Sequence, residues 1–114
     1  MSIVYDIAVI GSGTMGAGIA QVCAQAGMSV LLYDISEAAL KKSEVGIVKN
    51  YSVAVEKGKM LESEKNEALL KIKYSNQFAD IKANICIEAI VEKLDVKRDL
   101  LQKLAAQNDI QCIL

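Results

Sequence analysis

Apolar residues follow two rhythms along this chain. Short continuous runs alternate with longer stretches in which apolar positions recur every three or four residues, as in a parallel sheet covered by helices. Val4–Ile10 predicts a first strand, and Ser29–Asp34, reading SVLLYD, a second. Between them Ile19, Val22, Cys23 and Ala26 fall at helical spacing, predicting a helix that turns this face to the sheet and stops at Gly27. Beyond Asp34, Ser36 is the predicted N-cap of a long helix with a stripe of Leu40, Ile47, Val48, Tyr51 and Val55, ending near Gly58. The segment LESEKNEALLKIKYS predicts a shorter helix running into a brief strand at 72–75, so the two helices make a hairpin inserted ahead of the next strand. ANICIEAI predicts a fourth strand and EKLDVKRDLLQKLAAQ a helix with Val96, Leu100, Leu101 and Leu104 inward. The closing IQCIL reads as a fifth strand that has only begun. The expected class is α/β, a doubly wound parallel sheet with a helical hairpin insertion, cut short near its fifth strand.

Candidate chemistry sits where the first strand meets the first helix. Gly11, Gly13 and Gly16 form the spacing G-x-G-x-x-G at that junction. The first glycine permits a tight turn, the second lets backbone approach a pyrophosphate, and the third lets the helix lie close on the strand. Backbone N–H groups of Ser12 to Gly16 then point at phosphates, assisted by the positive end of the helix dipole. Structural strand-to-helix turns also use glycine, but here an acidic residue, Asp34, ends the second strand at the offset a dinucleotide site needs. A carboxylate there accepts hydrogen bonds from ribose hydroxyls and repels a 2′-phosphate, which favours NAD over NADP; FAD remains open on the glycines alone.

Composition narrows the remaining classes. The 114 residues fit one domain, and 53% apolar content is ample for one core. A net charge of −1 gives no electrostatic reason to expect nucleic acid or an anionic membrane surface. The three cysteines, Cys23, Cys86 and Cys112, stand singly in apolar stretches and read as reduced small hydrophobes, with no metal-site spacing. No leader-like segment and no membrane-spanning run is visible, so a cytoplasmic location is expected. Histidine, the commonest general base, does not occur in the chain.

The runs IAVIGSGTMGAGIAQVCAQAGMSVLLYDIS, VEKGKM and IEAIVEKLDVKRDLLQKL resemble the amino-terminal part of the 3-hydroxyacyl-CoA dehydrogenases, over essentially the whole chain. The resemblance implies a Rossmann-type NAD-binding domain, incomplete at 1–114, from an enzyme interconverting 3-hydroxyacyl-CoA and 3-oxoacyl-CoA, with 3-hydroxybutyryl-CoA the expected substrate. It places Gly11, Ser12, Gly13, Thr14, Met15 and Gly16 at the pyrophosphate, Asp34 at the ribose, and Ala89, Glu92 and Lys97 beside the dinucleotide. Read from the residues alone, Glu92 and Lys97 equally suit a surface pair. The resemblance also assigns Asn50 and Lys57 to the CoA adenosine phosphate, against a plain reading as solvated polar side chains. The family's catalytic histidine, its partner glutamate, and the serine and asparagine that bind substrate belong to sequence beyond Leu114, as does a helical carboxyl-terminal domain. The chain alone is therefore expected to be catalytically silent, with no metal site, and to self-associate through apolar sheet surface and an unpaired edge at the fifth strand. The competing expectation is a naturally short, noncatalytic nucleotide-binding or partner-pairing module. Dehydrogenases of other hydroxy acids share the glycine turn but are disfavoured by the hairpin and by EAIVEKLDVK.

Overall fold

A computed structural model of the protein describes residues 3–89 and the backbone of 111–113. Among these residues five strands form one parallel sheet: β1 (Tyr5–Ile10), β2 (Val30–Tyr33), β3 (Ile72–Ser75), β4 (Ala83–Glu88) and β5 (Gln111–Ile113), in the order β3-β2-β1-β4-β5. Among the described residues three α-helices connect them, α1 (Thr14–Gln25), α2 (Glu37–Glu56) and α3 (Glu62–Lys71), and a 3-10 turn at Phe78–Asp80 lies between β3 and β4. The strand predicted at 72–75 is found with those bounds, and β1 and β2 are found one residue shorter at one end and at both ends respectively. The helix expected over EKLDVKRDLLQKLAAQ lies outside the described residues.

From Ile7 to Ile10 central β1 is apolar without alternation because both of its faces are buried there. Ile7 and Val9 join Val30, Leu32 and Ile72 in a core capped by Ala20 and Ala24 of α1, Leu40, Ile47 and Tyr51 of α2, and Ala68 of α3. Ala8 and Ile10 join Leu31, Tyr33, Ile81, Ala83 and Cys86 in a second core on the opposite face. All three helices therefore cover one side of the sheet, as right-handed crossovers from β1 through β2 to β3 require. The Tyr51 phenol donates to the Gln21 carbonyl at 2.7 Å and pins α2 on α1; burial pushes its pKa up to about 12.

The face that α1 buries differs from the one its apolar residues suggest. Gly16, Ala20 and Ala24 are buried, Ile19 and Cys23 are half-buried, Ala26 is exposed, and Val22 is 69% exposed. The cause is proximity: a Cβ on Gly16 would stand 1.8 Å from the Gly11 carbonyl oxygen. A helix held that close to a strand presents small residues at i, i+4 and i+8 to the sheet, and the larger ones rotate outward. The two predicted helix ends are found as drawn. Met28 and Gly27 donate backward to the Cys23 and Ala24 carbonyls, with Gly27 at φ 94°, the glycine-closed end of α1. Ser36 caps α2 by accepting from the Ala39 N–H at 3.2 Å.

Candidate functional site

The carboxyl ends of β1, β2 and β4 lie side by side, since Ile10 is in register with Tyr33 on one flank and Glu88 on the other. Each strand delivers its following residue to the same rim. Gly11 donates to the Tyr33 carbonyl at 2.7 Å, and Ala89 donates to the Ile10 carbonyl at 2.8 Å. Asp34, next after β2, is tied down by donating to the Ser75 carbonyl at 3.2 Å. The rim thus brings together Gly11 to Gly16, Asp34 and Ala89, in the crevice where ligands bind doubly wound sheets.

The three glycines differ in what they are for. Gly11 has φ 106°, a conformation that side chains resist, and it turns the chain out of β1. Gly16 is required by the contact with the Gly11 carbonyl. Gly13 is in an ordinary extended conformation, φ −66° and ψ −170°, and a Cβ there would meet nothing within 4 Å. Nothing internal calls for its missing side chain. The bare backbone at Gly13, exposed at the N-cap of α1, is what a phosphate needs for close approach. Thr14 and Met15 are exposed in the first turn of the same helix.

Asp34 is held from both ends. Its Oδ2 accepts from the Ser12 amide at 3.0 Å and the Ser12 hydroxyl at 2.9 Å, and its Oδ1 accepts from the Ser36 amide at 2.9 Å. Burial works to raise its pKa, but the hydrogen bonds from Ser36 and Ser12 prevail and hold the carboxyl below its ordinary value. It is consequently an anion at neutral pH with one fixed orientation.

From this rim a cleft of about 560 Å³ runs between α1 and α2. It begins at Ser12, Gly13 and Thr14, passes Gly18 and Gly46 in the two helices, and reaches Gln21 and Asn50. The Asn50 amide donates to Gln21 Oε1 at 2.8 Å across its far end. Ser43 Oγ, buried in its wall, has no hydrogen-bond partner among the described residues. Sequence reasoning missed Gln21, Ser43 and this cleft, although Gly18 and Gly46 inside predicted helices were an available signal. Lys57 is not gathered at the rim: it caps the exposed far end of α2, two turns beyond Asn50. Glu92 and Lys97 lie outside the described residues. No group of metal-ligating side chains occurs among the described residues, and no described helix is long and apolar enough to cross a membrane.

Comparison with known proteins gives this geometry its context. Residues 6–114 match the model of the 3-hydroxyacyl-CoA dehydrogenase NAD binding domain. The chain is 47% identical over 104 residues to a 3-hydroxyadipyl-CoA dehydrogenase of Escherichia coli (strain K12), covering 90% of this chain and 22% of that protein. It is 37% identical over 99 residues to a 3-hydroxybutyryl-CoA dehydrogenase of Clostridioides difficile, covering 86% of this chain and 35% of the relative. Among solved structures, 3-hydroxybutyryl-CoA dehydrogenase from Escherichia coli K12 superposes with a TM-score of 0.88 at 40% identity, over 93% of this chain and 23% of that one. The (S)-3-hydroxybutyryl-CoA dehydrogenase from Ralstonia eutropha gives 0.89 at 34% identity, over 96% and 40%. The chain therefore spans well under half the length of these relatives.

Proposed function

Because this chain belongs to the family of the 3-hydroxyacyl-CoA dehydrogenase NAD-binding domain, we propose that it is the amino-terminal, cofactor-holding portion of an enzyme that interconverts 3-hydroxyacyl-CoA and 3-oxoacyl-CoA. The observation that carries this reading furthest is Gly13, a glycine required by neither backbone conformation nor packing, set beside a clamped carboxylate. The backbone amides from Gly13 to Gly16 hold the pyrophosphate, with Thr14 and Met15 flanking it, while the Ser12 amide of the same turn is held by Asp34 Oδ2. Asp34 accepts from the adenosine ribose, and Ala89, Glu92 and Lys97 border the dinucleotide. When bound, the nicotinamide supplies hydride acceptance and donation. The Gly11 turn and the Gly16 contact keep the amides aimed at one place before the cofactor arrives, so little ordering is needed on binding.

For the second substrate, Asn50 and Lys57 are assigned to the CoA adenosine phosphate, Lys57 as a cation at the exposed end of α2 and Asn50 at the end of the α1–α2 cleft. 3-Hydroxybutyryl-CoA is the favoured substrate, the one named for the Clostridioides difficile relative and for the two solved structures, whereas the Escherichia coli relative at 47% identity is named for 3-hydroxyadipyl-CoA. Lacking any histidine, the chain by itself is assigned binding and no turnover. In this reading the hydroxyl-proton acceptor belongs to a further, helical part of the protein.

The test is fluorescence titration of the chain with NADH, paired with an activity assay on acetoacetyl-CoA. Saturable NADH binding without turnover is expected, and absence of NADH binding by folded protein overturns the reading. In the longer protein, Lys57→Ala is expected to raise KM for acyl-CoA several-fold and leave the NAD affinity alone; an unchanged KM removes Lys57 from the site.

A further inference from the structure

Three hydrogen-bond donors converge on the Asp34 carboxylate: the Ser12 amide, the Ser12 hydroxyl and the Ser36 amide, each within 3.0 Å of a carboxylate oxygen. Two come from the glycine turn and one from the N-cap of α2, so elements far apart in sequence aim at one point. The group at that point is already an anion, and these donors are the cradle built around it. We propose that Ser12 is a specificity-determining residue for the cofactor: with the Ser36 amide it forms a latent phosphate-binding site that Asp34 fills, and only while Asp34 fills it is the 2′-phosphate of NADP excluded. The proposal rests on the assignment of Asp34 to the adenosine ribose.

Counting donors and acceptors shows why. A carboxylate offers about four acceptor positions, two on each oxygen. Oδ2 already accepts two bonds, both from Ser12, while Oδ1 accepts one. Toward a nucleotide the remaining capacity is one position on Oδ1 and the lone pairs of Ser12 Oγ, whose hydrogen is turned to Asp34. Both are acceptors, which suits the two hydroxyls of a ribose because hydroxyls can donate. A 2′-phosphate, ionised at neutral pH, chiefly accepts. It meets a negative charge and finds all three nearby donors already taken. Exclusion of NADP thus has two parts: repulsion by Asp34 and sequestration of donors by Asp34. Taking the carboxylate away removes the repulsion and, in the same stroke, releases two amides and a hydroxyl toward an incoming anion.

This makes Ser12 experimentally separable from Asp34. NADH and NADPH affinities would be measured by fluorescence for the wild-type chain, Asp34→Ala, Ser12→Ala and the double variant, with folding checked by circular dichroism. The wild-type chain is expected to prefer NADH by at least about tenfold, the scale of one charge-assisted hydrogen bond. Asp34→Ala is expected to weaken NADH and to strengthen NADPH by about tenfold or more. Adding Ser12→Ala to that variant is expected to lower NADPH affinity several-fold more than NADH affinity, since only NADPH carries the phosphate. Ser12→Ala alone, with Asp34 still in place, gives no gain in NADPH binding.

A purely structural Ser12 would weaken both cofactors equally and leave their ratio unchanged, which overturns the proposal. So does a folded Asp34→Ala chain that gains no NADPH affinity while the wild type binds NADH. If the wild-type chain binds neither cofactor, the assignment of Asp34 to the ribose falls and this inference falls with it. Should Asp34→Ala not fold, Asp34→Asn keeps the side chain's volume and carries the same comparison with and without Ser12→Ala.

Discussion

Gly13 and Gly16 are three residues apart and lack a side chain for opposite reasons. At Gly16 a Cβ would collide with backbone, the Gly11 carbonyl oxygen at 1.8 Å, and backbone has no rotamer to escape into. Gly16→Ala is therefore expected to push α1 off β1 and cost several kcal/mol, the scale of core overpacking, read as a large fall in Tm or loss of folding. At Gly13 the same methyl enters open space in a permitted conformation. Gly13→Ala should melt within a few degrees of the wild type yet bind NADH at least about tenfold more weakly, because the methyl stands where the phosphates approach. Equal NADH affinity in a folded Gly13→Ala chain would remove the glycine turn from the binding site. These glycines and Asp34 were legible in the sequence because they form a local motif with fixed offsets. The bonds from Ser12 to Asp34 were not, since they span 22 positions and exist only once β1 and β2 are in register. Glycine itself was readable at Gly13, but its purpose became visible only when packing could be ruled out.

At the scale of elements, the pattern of apolar runs gave the described strands and α-helices within a residue or two, because their stops are chemically marked; the 3-10 turn at Phe78–Asp80 follows no such run and was not predicted. The burial face of α1 was misread through Val22 and Ala26. Apolar size is a guide to the buried face only where two elements pack at ordinary separation, and the Gly16 contact brings α1 closer than that. The stripe of α2 was read better: Leu40, Ile47 and Tyr51 are buried as expected, while Ser43 takes a place in the stripe and Val48 stays exposed. Gly18 and Gly46 stand inside α1 and α2 and line the cleft between them, and a Cβ on either would touch nothing within 4 Å. Glycine in a helix interior costs about 0.5–1 kcal/mol relative to alanine. Gly18→Ala and Gly46→Ala are each expected to raise Tm by a few degrees, the shift that such an energy gives in a domain of this size. Calorimetry showing either variant to be destabilised would mean that the cleft is already filled in solution.

The molecule as a whole presents apolar residues beyond those its cores absorb. Met15 and Val22 are exposed and, with Ile19, wall a shallow apolar hollow of about 500 Å³ on the outer side of α1. Contiguous apolar surface of this kind marks contact sites, and the isolated chain is expected to self-associate through it. Sedimentation should show average mass rising with concentration, and Val22→Lys, at an exposed position, should reduce that rise without lowering Tm. A monodisperse monomer at high concentration overturns the expectation. The strand order has a consequence in time as well as in space. β1 meets β2 through Ile7 and Val30, but its other edge waits for β4, where Ile7 meets Ile85. On a ribosome adding about 5–20 residues per second, the second neighbour of the central strand emerges seconds after the first, whereas chain collapse takes microseconds. For that interval the central strand of the sheet, with its buried run from Ile7 to Ile10, is paired on one side only, and the nascent chain is most in need of shelter before its fourth strand is made.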